Sequence, residues 1–161
     1  MARPGAPGSD LEYAGFWLRV GAVLIDSVLV AIIIVPLMWW AYGERYFLGP
    51  DLLMGPADFS IRYLLPAVLV IAFWLYRLAT PGKMAISATI VDARTGLRPS
   101  AGQLIARYFG YIVSTLPLGL GLIWVAFDSR KQGWHDKLAG TVVVRRRSGG
   151  GVPVAFDDAP R

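Results

Sequence analysis

The chain has 161 residues, the size of one ordinary domain, and carries a net charge of +5 with no cysteine. Hydrophobic residues make up 55% of it and charged ones only 17%, too apolar a balance for a soluble domain and the one expected of an integral membrane protein. The missing cysteine excludes disulfides and thiolate metal sites. The basic excess reads as loops held on one side of a membrane, with no nucleic-acid partner.

Residues 1–8 (MARPGAPG) are rich in Pro and Gly and are expected to be disordered, so 1–12 is set apart as a short N-terminal segment. Ser9 stands three before Glu12, a capping-box spacing that predicts a helix start there. The first apolar run extends roughly from Ala14 to Tyr42, long enough to cross a bilayer with some tilt, and Pro36 lies near its far end. It is too long for a signal-peptide core and reads as a retained anchor. Trp17, Trp39, Trp40, Tyr42, Tyr63, Trp74 and Tyr76 mark the ends of apolar runs, as an interfacial belt would.

Gly43 to Ser60 carries turn signals at Gly49-Pro50 and Gly55-Pro56 and reads as a loop. A second apolar run, Ile61 to Ala79, crosses back, with Pro66 in its early turns, and Thr80–Lys83 (TPGK) stops it. The stretch that follows contains Ile86, Thr89, Ile90 and Val91 before a turn at Thr95-Gly96, which predicts a short β-hairpin at the cytoplasmic surface. Its Gly82-Lys83 pair is no phosphate loop, because the upstream glycine is missing and Met84 stands where Ser or Thr is needed.

Ser100 and Gln103 form a second capping-box spacing, predicting a helix from about Ala101. That helix is interrupted by "PLGLG", where Pro117, Gly119 and Gly121 form a hinge. Residues 101–128 are then either one continuous third span or a re-entrant hairpin. The hairpin keeps Arg130, Lys131, Lys137, Arg145, Arg146 and Arg147 on the same side as Lys83, Arg94 and Arg98, which satisfies the positive-inside rule. Trp134 to Ala139 predicts a short helix ending at Gly140, followed by extended "TVVV". Residues 148–161 read as a flexible tail. The fold expected is an all-α membrane protein with two transmembrane helices, a broken third apolar segment and a short cytoplasmic β-hairpin.

Two charges inside the first run need an explanation. Arg19 and Asp26 are seven residues apart, about 10 Å along a helix on nearly one face, too far for a direct ion pair. Arg19 is near enough to the interface to reach out of the bilayer, whereas the short Asp26 side chain is not. Asp26 is read as polar glue between helices, as a proton- or cation-accepting carboxylate in a polar cavity, or as an assembly contact. It is expected to face the PLGLG turn or a cavity beside it. Enzyme chemistry is not expected: one histidine gives no multi-His zinc site, no H-E-x-x-H or G-x-S-x-G occurs, and no metal or cofactor is implied.

Taken together, "AGFWLRVGAVLIDSVLV", "TPGKMAISATIVDARTG" and "AFDSRKQGWHDKLAGTVVVRR" resemble, in order and over about residues 13–147, the RDD family of bacterial membrane proteins, named for one arginine and two aspartates. The resemblance maps the arginine to Arg19 and the first aspartate to Asp26. The second maps to Asp136 in the "HD" pair with His135, or to Asp128 nearby. The expected coupling is Arg19 with Asp136, docking the C-terminal segment on the first helix. The resemblance further implies a bacterial inner-membrane protein, with both termini cytoplasmic by the charge pattern, and a largely uncharacterised activity. The expectation is transport of a small solute or monovalent cation, coupled to protons in some members, by a homo-oligomer. The alternative is a non-transporting accessory protein that binds another membrane protein.

Overall fold

The computed structural model describes residues 10–48, 54–147 and 151–156. The expected disorder at 1–8, the cap at Ser9 and the turn at Gly49-Pro50 lie outside these. A strand β1 (Leu11–Tyr13) leads into α1 (Phe16–Tyr42), and α2 (Arg45–Leu48) follows. Next come α3 (Pro56–Arg77) and α4 (Pro81–Ala85), then β2 (Ala88–Asp92) and α5 (Ala101–Thr115). The chain continues through α6 (Leu120–Ala126), α7 (Trp134–Ala139) and β3 (Thr141–Arg146).

The helix expected from the Ser9–Glu12 capping box begins instead at Phe16, with Gly15 as its cap. Glu12 is in a strand because its partner lies across the sheet: its Oε1 is 2.5 Å from Arg145 Nη2, and its Oε2 accepts from the Gly151 amide at 3.0 Å. A long-range ion pair at a buried strand position outweighs a local capping pattern. Helices α1 and α3 are long and apolar enough to cross a membrane. At 27 residues α1 is about 40 Å long, and its apolar side chains from Val23 to Trp40 are mostly exposed.

Helix α3 starts at Pro56, earlier than the apolar run suggested, and contains one π turn at Ser60–Leu64. Pro66 has no amide proton and its ring crowds the carbonyl four residues back, so a wide turn just before it relieves both defects. The helix then stops at Arg77 with Leu78 left-handed, and Thr80-Pro81 opens α4, where proline suits the first turn.

Helix α5 begins at Ala101 with the complete Ser100–Gln103 capping box, as its sequence spacing required. Leu118 and Gly119 both take positive φ, and α6 leaves α5 at a bend of 114°. The pair is therefore sharply bent, a broken span or a re-entrant turn, and with α1 and α3 it gives two to three candidate spans.

The expected β-hairpin around Thr95-Gly96 does not form. Strand β2 pairs with β3, from the far end of the chain, in a three-stranded antiparallel sheet of order β1-β3-β2. The fold is thus helical with a sheet rather than all-α. Central β3 is buried on both faces, which explains its unbroken valines. Ile90 and Val143 pack with Ala14, Trp74 and Leu104 on the helical side. Tyr13, Val142 and Val144 face the other way, under Val154 and Phe156. Residues 151–156, within the tail expected to be flexible, lie beside β1: Tyr13 donates to the Val152 carbonyl at 3.1 Å and Val154 donates to that of Leu11 at 3.2 Å.

Candidate functional site

The first turns of α1 pass between the sheet cap and α7, and this places Arg19 in the interior. Its Nε donates to the Ala14 carbonyl at 2.9 Å, Nη2 to the Lys131 carbonyl at 2.6 Å, and Nη1 to Asp136 Oδ2 at 2.6 Å. The side chain therefore does not reach outward to solvent. The expected Arg19–Asp136 pair is present, and it ties α1 to α7 across 117 positions of sequence.

Asp136 is fully buried. Besides Arg19 its carboxylate accepts from the Gly133 amide at 3.0 Å, and its Oδ1 pairs with Arg107 Nη1. Against the upward push of burial, Arg107 and Arg19 hold this carboxyl well below the usual range. Arg107, on α5, is itself wholly buried and donates to Thr141 Oγ1 at 2.8 Å. Its guanidinium lies 5.4 Å from the Trp74 ring centroid and 5.7 Å from that of Tyr111. Its Nε and Nη2 have no hydrogen-bond partner among the described residues.

Asp128, the other aspartate the resemblance allowed, lies apart from this network. It pairs with Lys137 and accepts from the amides of Arg130 and Gln132. Burial acts to raise its pKa, and Lys137 with the Gln132 amide outweighs it, so the pKa is lowered from its ordinary value.

His135 stacks on Tyr111 at 3.9 Å between centroids. Its backbone amide donates to Ser114 Oγ at 3.0 Å, and its Nδ1 is 3.3 Å from the same oxygen. Its Nε2 is 3.4 Å from Asp136 Oδ2 but makes no hydrogen bond. Burial, reinforced by the nearby Arg107, Arg19 and Lys83, pushes the imidazole down to about 3, so it is neutral at physiological pH. Helix α7 comes this close to α5 because of Gly110, where a Cβ would sit 2.8 Å from His135 Cα.

Asp26 does not face the PLGLG turn. It points to the start of α4, where Thr80 Oγ1 donates to its Oδ2 at 2.5 Å and the Gly82 amide donates to Oδ1 at 2.7 Å. A carboxylate from α1 thus satisfies the free amide end of a five-residue helix. The seven-residue spacing from Arg19 is explained, since each charge serves a different neighbour. Gly82 makes the contact possible, because any side chain there would collide with the Ala22 carbonyl.

Lys83 follows, 5% exposed, and among the described residues its Nζ has a single hydrogen bond, to Thr80 Oγ1 at 3.5 Å. Burial pushes this ammonium down from its ordinary value, with Arg107 and Arg19 adding to the effect. Arg107 and Lys83 are as buried as Arg19 and Asp136, yet in the sequence Lys83 reads only as a basic charge of the connecting segment and Arg107 is not singled out. The signal for Arg107 was a stripe at helical spacing on α5, namely Leu104, Arg107, Gly110 and Ser114, all of them buried.

Two cavities meet this polar layer. One of about 450 Å³ lies between α1 and the hairpin, with Arg19, Tyr111 and His135 among its lining and Gly119 and Leu122 on the hairpin side. The other, about 220 Å³, lies between α1, α3, α4 and α5 and is lined by Asp26, Trp74, Thr80, Lys83, Tyr108 and Tyr111, closed by Val23 and Val70. Tyr111 and Val23 border both. Pro117 lines neither; with Gly119 it shapes the bend, and Gly121 closes it, packing against Ser114. Among the described residues no three His, Asp or Glu side chains converge in a way that would hold a metal ion.

The RDD family matches residues 13–140 of this chain. An uncharacterized protein of Rickettsia prowazekii is 30% identical over 84% of this chain and 98% of its own length. The uncharacterized proteins YxaI and YckC of Bacillus subtilis are 33% and 30% identical, each over 81% of this chain, covering 96% and 83% of their own lengths. No solved structure matches. With Arg19 and Asp136 joined in one buried pair, Asp26 two turns further along α1, and the match running from β1 to the end of α7, the chain belongs to the RDD family.

Proposed function

We propose that this membrane protein moves a small solute, and that the Arg19–Asp136 pair is its gate. The observation that carries the reading is the pair of cavities that border one buried charged layer and share Tyr111 and Val23 as a thin wall. In a bilayer, irregular polar structure of this kind is tolerated only inside protein or beside water. Breaking Arg19–Asp136 would free α1 from α7 and open the larger cavity on the side of the sheet cap. The positive-inside rule supports placing that cap and the C-terminus in the cytoplasm of a bacterial inner membrane.

Both aspartates accept from fixed donors, and Arg19, Lys83 and Arg107 outnumber them. That balance supports a solute bearing negative charge better than it supports a cation carried on Asp26. With two or three spans per chain, a pathway needs walls from further copies, which supports a homo-oligomer. Non-enzymatic action is part of the same reading. Ser114, His135 and Asp136 look like a nucleophile set, but the Ser114 hydroxyl donates to the Gly110 carbonyl at 2.8 Å and is closed in.

The second reading, an accessory protein bound to a membrane partner, is favoured by the broad apolar face of α1, where Leu24, Val28, Ile32 and Trp40 are exposed. Proteoliposomes loaded with a pH-sensitive dye decide between the two, with pulses of sodium, potassium or gluconate, whose acid does not cross bare lipid. The transport reading expects a gluconate-dependent signal absent from protein-free liposomes, and one that Arg19→Gln, which breaks the gating pair, raises while the protein still folds. No signal with any of the three, together with a stable co-purifying membrane protein, would replace it with the accessory reading.

A further inference from the structure

We infer that the 220 Å³ recess between α1, α3, α4 and α5 is a binding site for an oxyanion, a phosphate or carboxylate group held by Lys83 and the Trp74 indole. Two of the residues that line it carry buried donors without proper partners among the described residues. Lys83 has three protons and one hydrogen bond, at 3.5 Å, although it is 5% exposed. Trp74 is 2% exposed and its Nε1 has no partner among the described residues. A buried donor with no acceptor is costly, and a buried ammonium more so. Natural interiors seldom leave two such donors on one small cavity.

The surrounding charge has the same sign. Arg107 stacks behind the Trp74 and Tyr111 rings that form the recess wall, and its Nε and Nη2 are also unpartnered. Asp26 is the opposing charge on the wall, but its two oxygens already accept from Thr80 and Gly82. An acceptor group with two or more oxygens would meet Lys83 and Trp74 together, and Tyr108 would border it.

The size of the recess limits the guest to one such group, and Val23 and Val70 leave its membrane side apolar. The same chemistry therefore comes from two sources, a free anion or the phosphodiester of a lipid whose chains continue past those valines. This inference does not depend on transport: a site occupied by a lipid headgroup binds without moving anything.

Melting of the purified full chain tests it. In detergent, inorganic phosphate is titrated against chloride at matched ionic strength. In lipid discs, a phosphate-free galactolipid alone is compared with the same galactolipid containing phosphatidylglycerol. A melting temperature raised by phosphate identifies a free-anion site, and one raised only by phosphatidylglycerol identifies a headgroup site; both support the inference. Lys83→Met should weaken the half-maximal response about tenfold or more, the scale of losing one charged hydrogen bond, while Lys83→Arg keeps it. Trp74→Phe, which keeps the ring and removes the donor, should weaken it several-fold and serves where Lys83→Met does not fold. No response in either medium, or a response unchanged in these variants, overturns the site.

Discussion

Replacing Asp136 would strand two guanidinium groups at once, since Arg19 and Arg107 both pair with it. Replacing Arg19 strands no charge in this way, because Asp136 keeps Arg107 and the Gly133 amide. Asp136→Asn should therefore cost about 3–5 kcal/mol, the scale of removing one partner of a buried ion pair, and Arg19→Gln clearly less. Denaturant or thermal unfolding in detergent gives the ranking, and the reverse order would show that Arg107 does not share the load. His135 sets a pH dependence. Its folded value, about 3, lies below the ordinary 6.5, so the unfolded chain takes up a proton that the folded one refuses. Stability is full above pH 6.5 and falls as pH drops from there, by about 1.4 kcal/mol per unit for one proton. Asp136, whose carboxyl is likewise held below its ordinary range, adds a loss of the same sign only below about pH 4. His135→Phe should flatten the slope between pH 6 and about pH 4, and an equally steep slope in that variant would remove His135 as its cause.

At the level of elements, what could be read from sequence depended on how local the cause was. The start of α5 and the break after it were legible because a capping box, a proline and two glycines act within a few residues. Arg19 and Asp26 stood out because a charge in an apolar helix has no neutral explanation. Arg107 and Lys83 did not stand out: a basic residue near an interface looks the same in sequence whether it faces water or the interior. The small sheet was hidden for a different reason, since β2 and β3 pair across about fifty residues and no nearby pattern specifies that register. Helix α4 depends on one contact of the same long-range kind. Gly82→Ala would force α4 away from α1 at the Ala22 carbonyl and pull the Thr80 and Gly82 donors off Asp26. The expected loss is about 1–3 kcal/mol or more, because the obstacle is backbone and cannot rotate aside. A melting temperature equal to the parent's would show that α4 can slide without penalty.

For the molecule as a whole, the sheet cap gathers Glu12, Lys131 and Arg145 on the same side as the polar layer. If the bent pair α5–α6 enters and returns, a tag after residue 147 and one in the turn at 93–97 are accessible from the same side of the membrane. Labelling both in sealed vesicles should give matching protection, and opposite protection would make α5–α6 a through-span. Sheet order also has a consequence in time. Strand β1 precedes all the membrane helices and β3 follows all of them, yet β3 is the strand between β1 and β2. During synthesis β1 and β2 emerge with no strand to pair with, and each stays an open edge until the last element arrives. The cap therefore closes last, after every helix has been made. Asp136 lies just before β3, so the Arg19–Asp136 pair is also a late contact, one that ties the first long helix to the end of the fold. A chain stopped before Thr141 would keep its spans but leave β1 and β2 open to quality-control proteases.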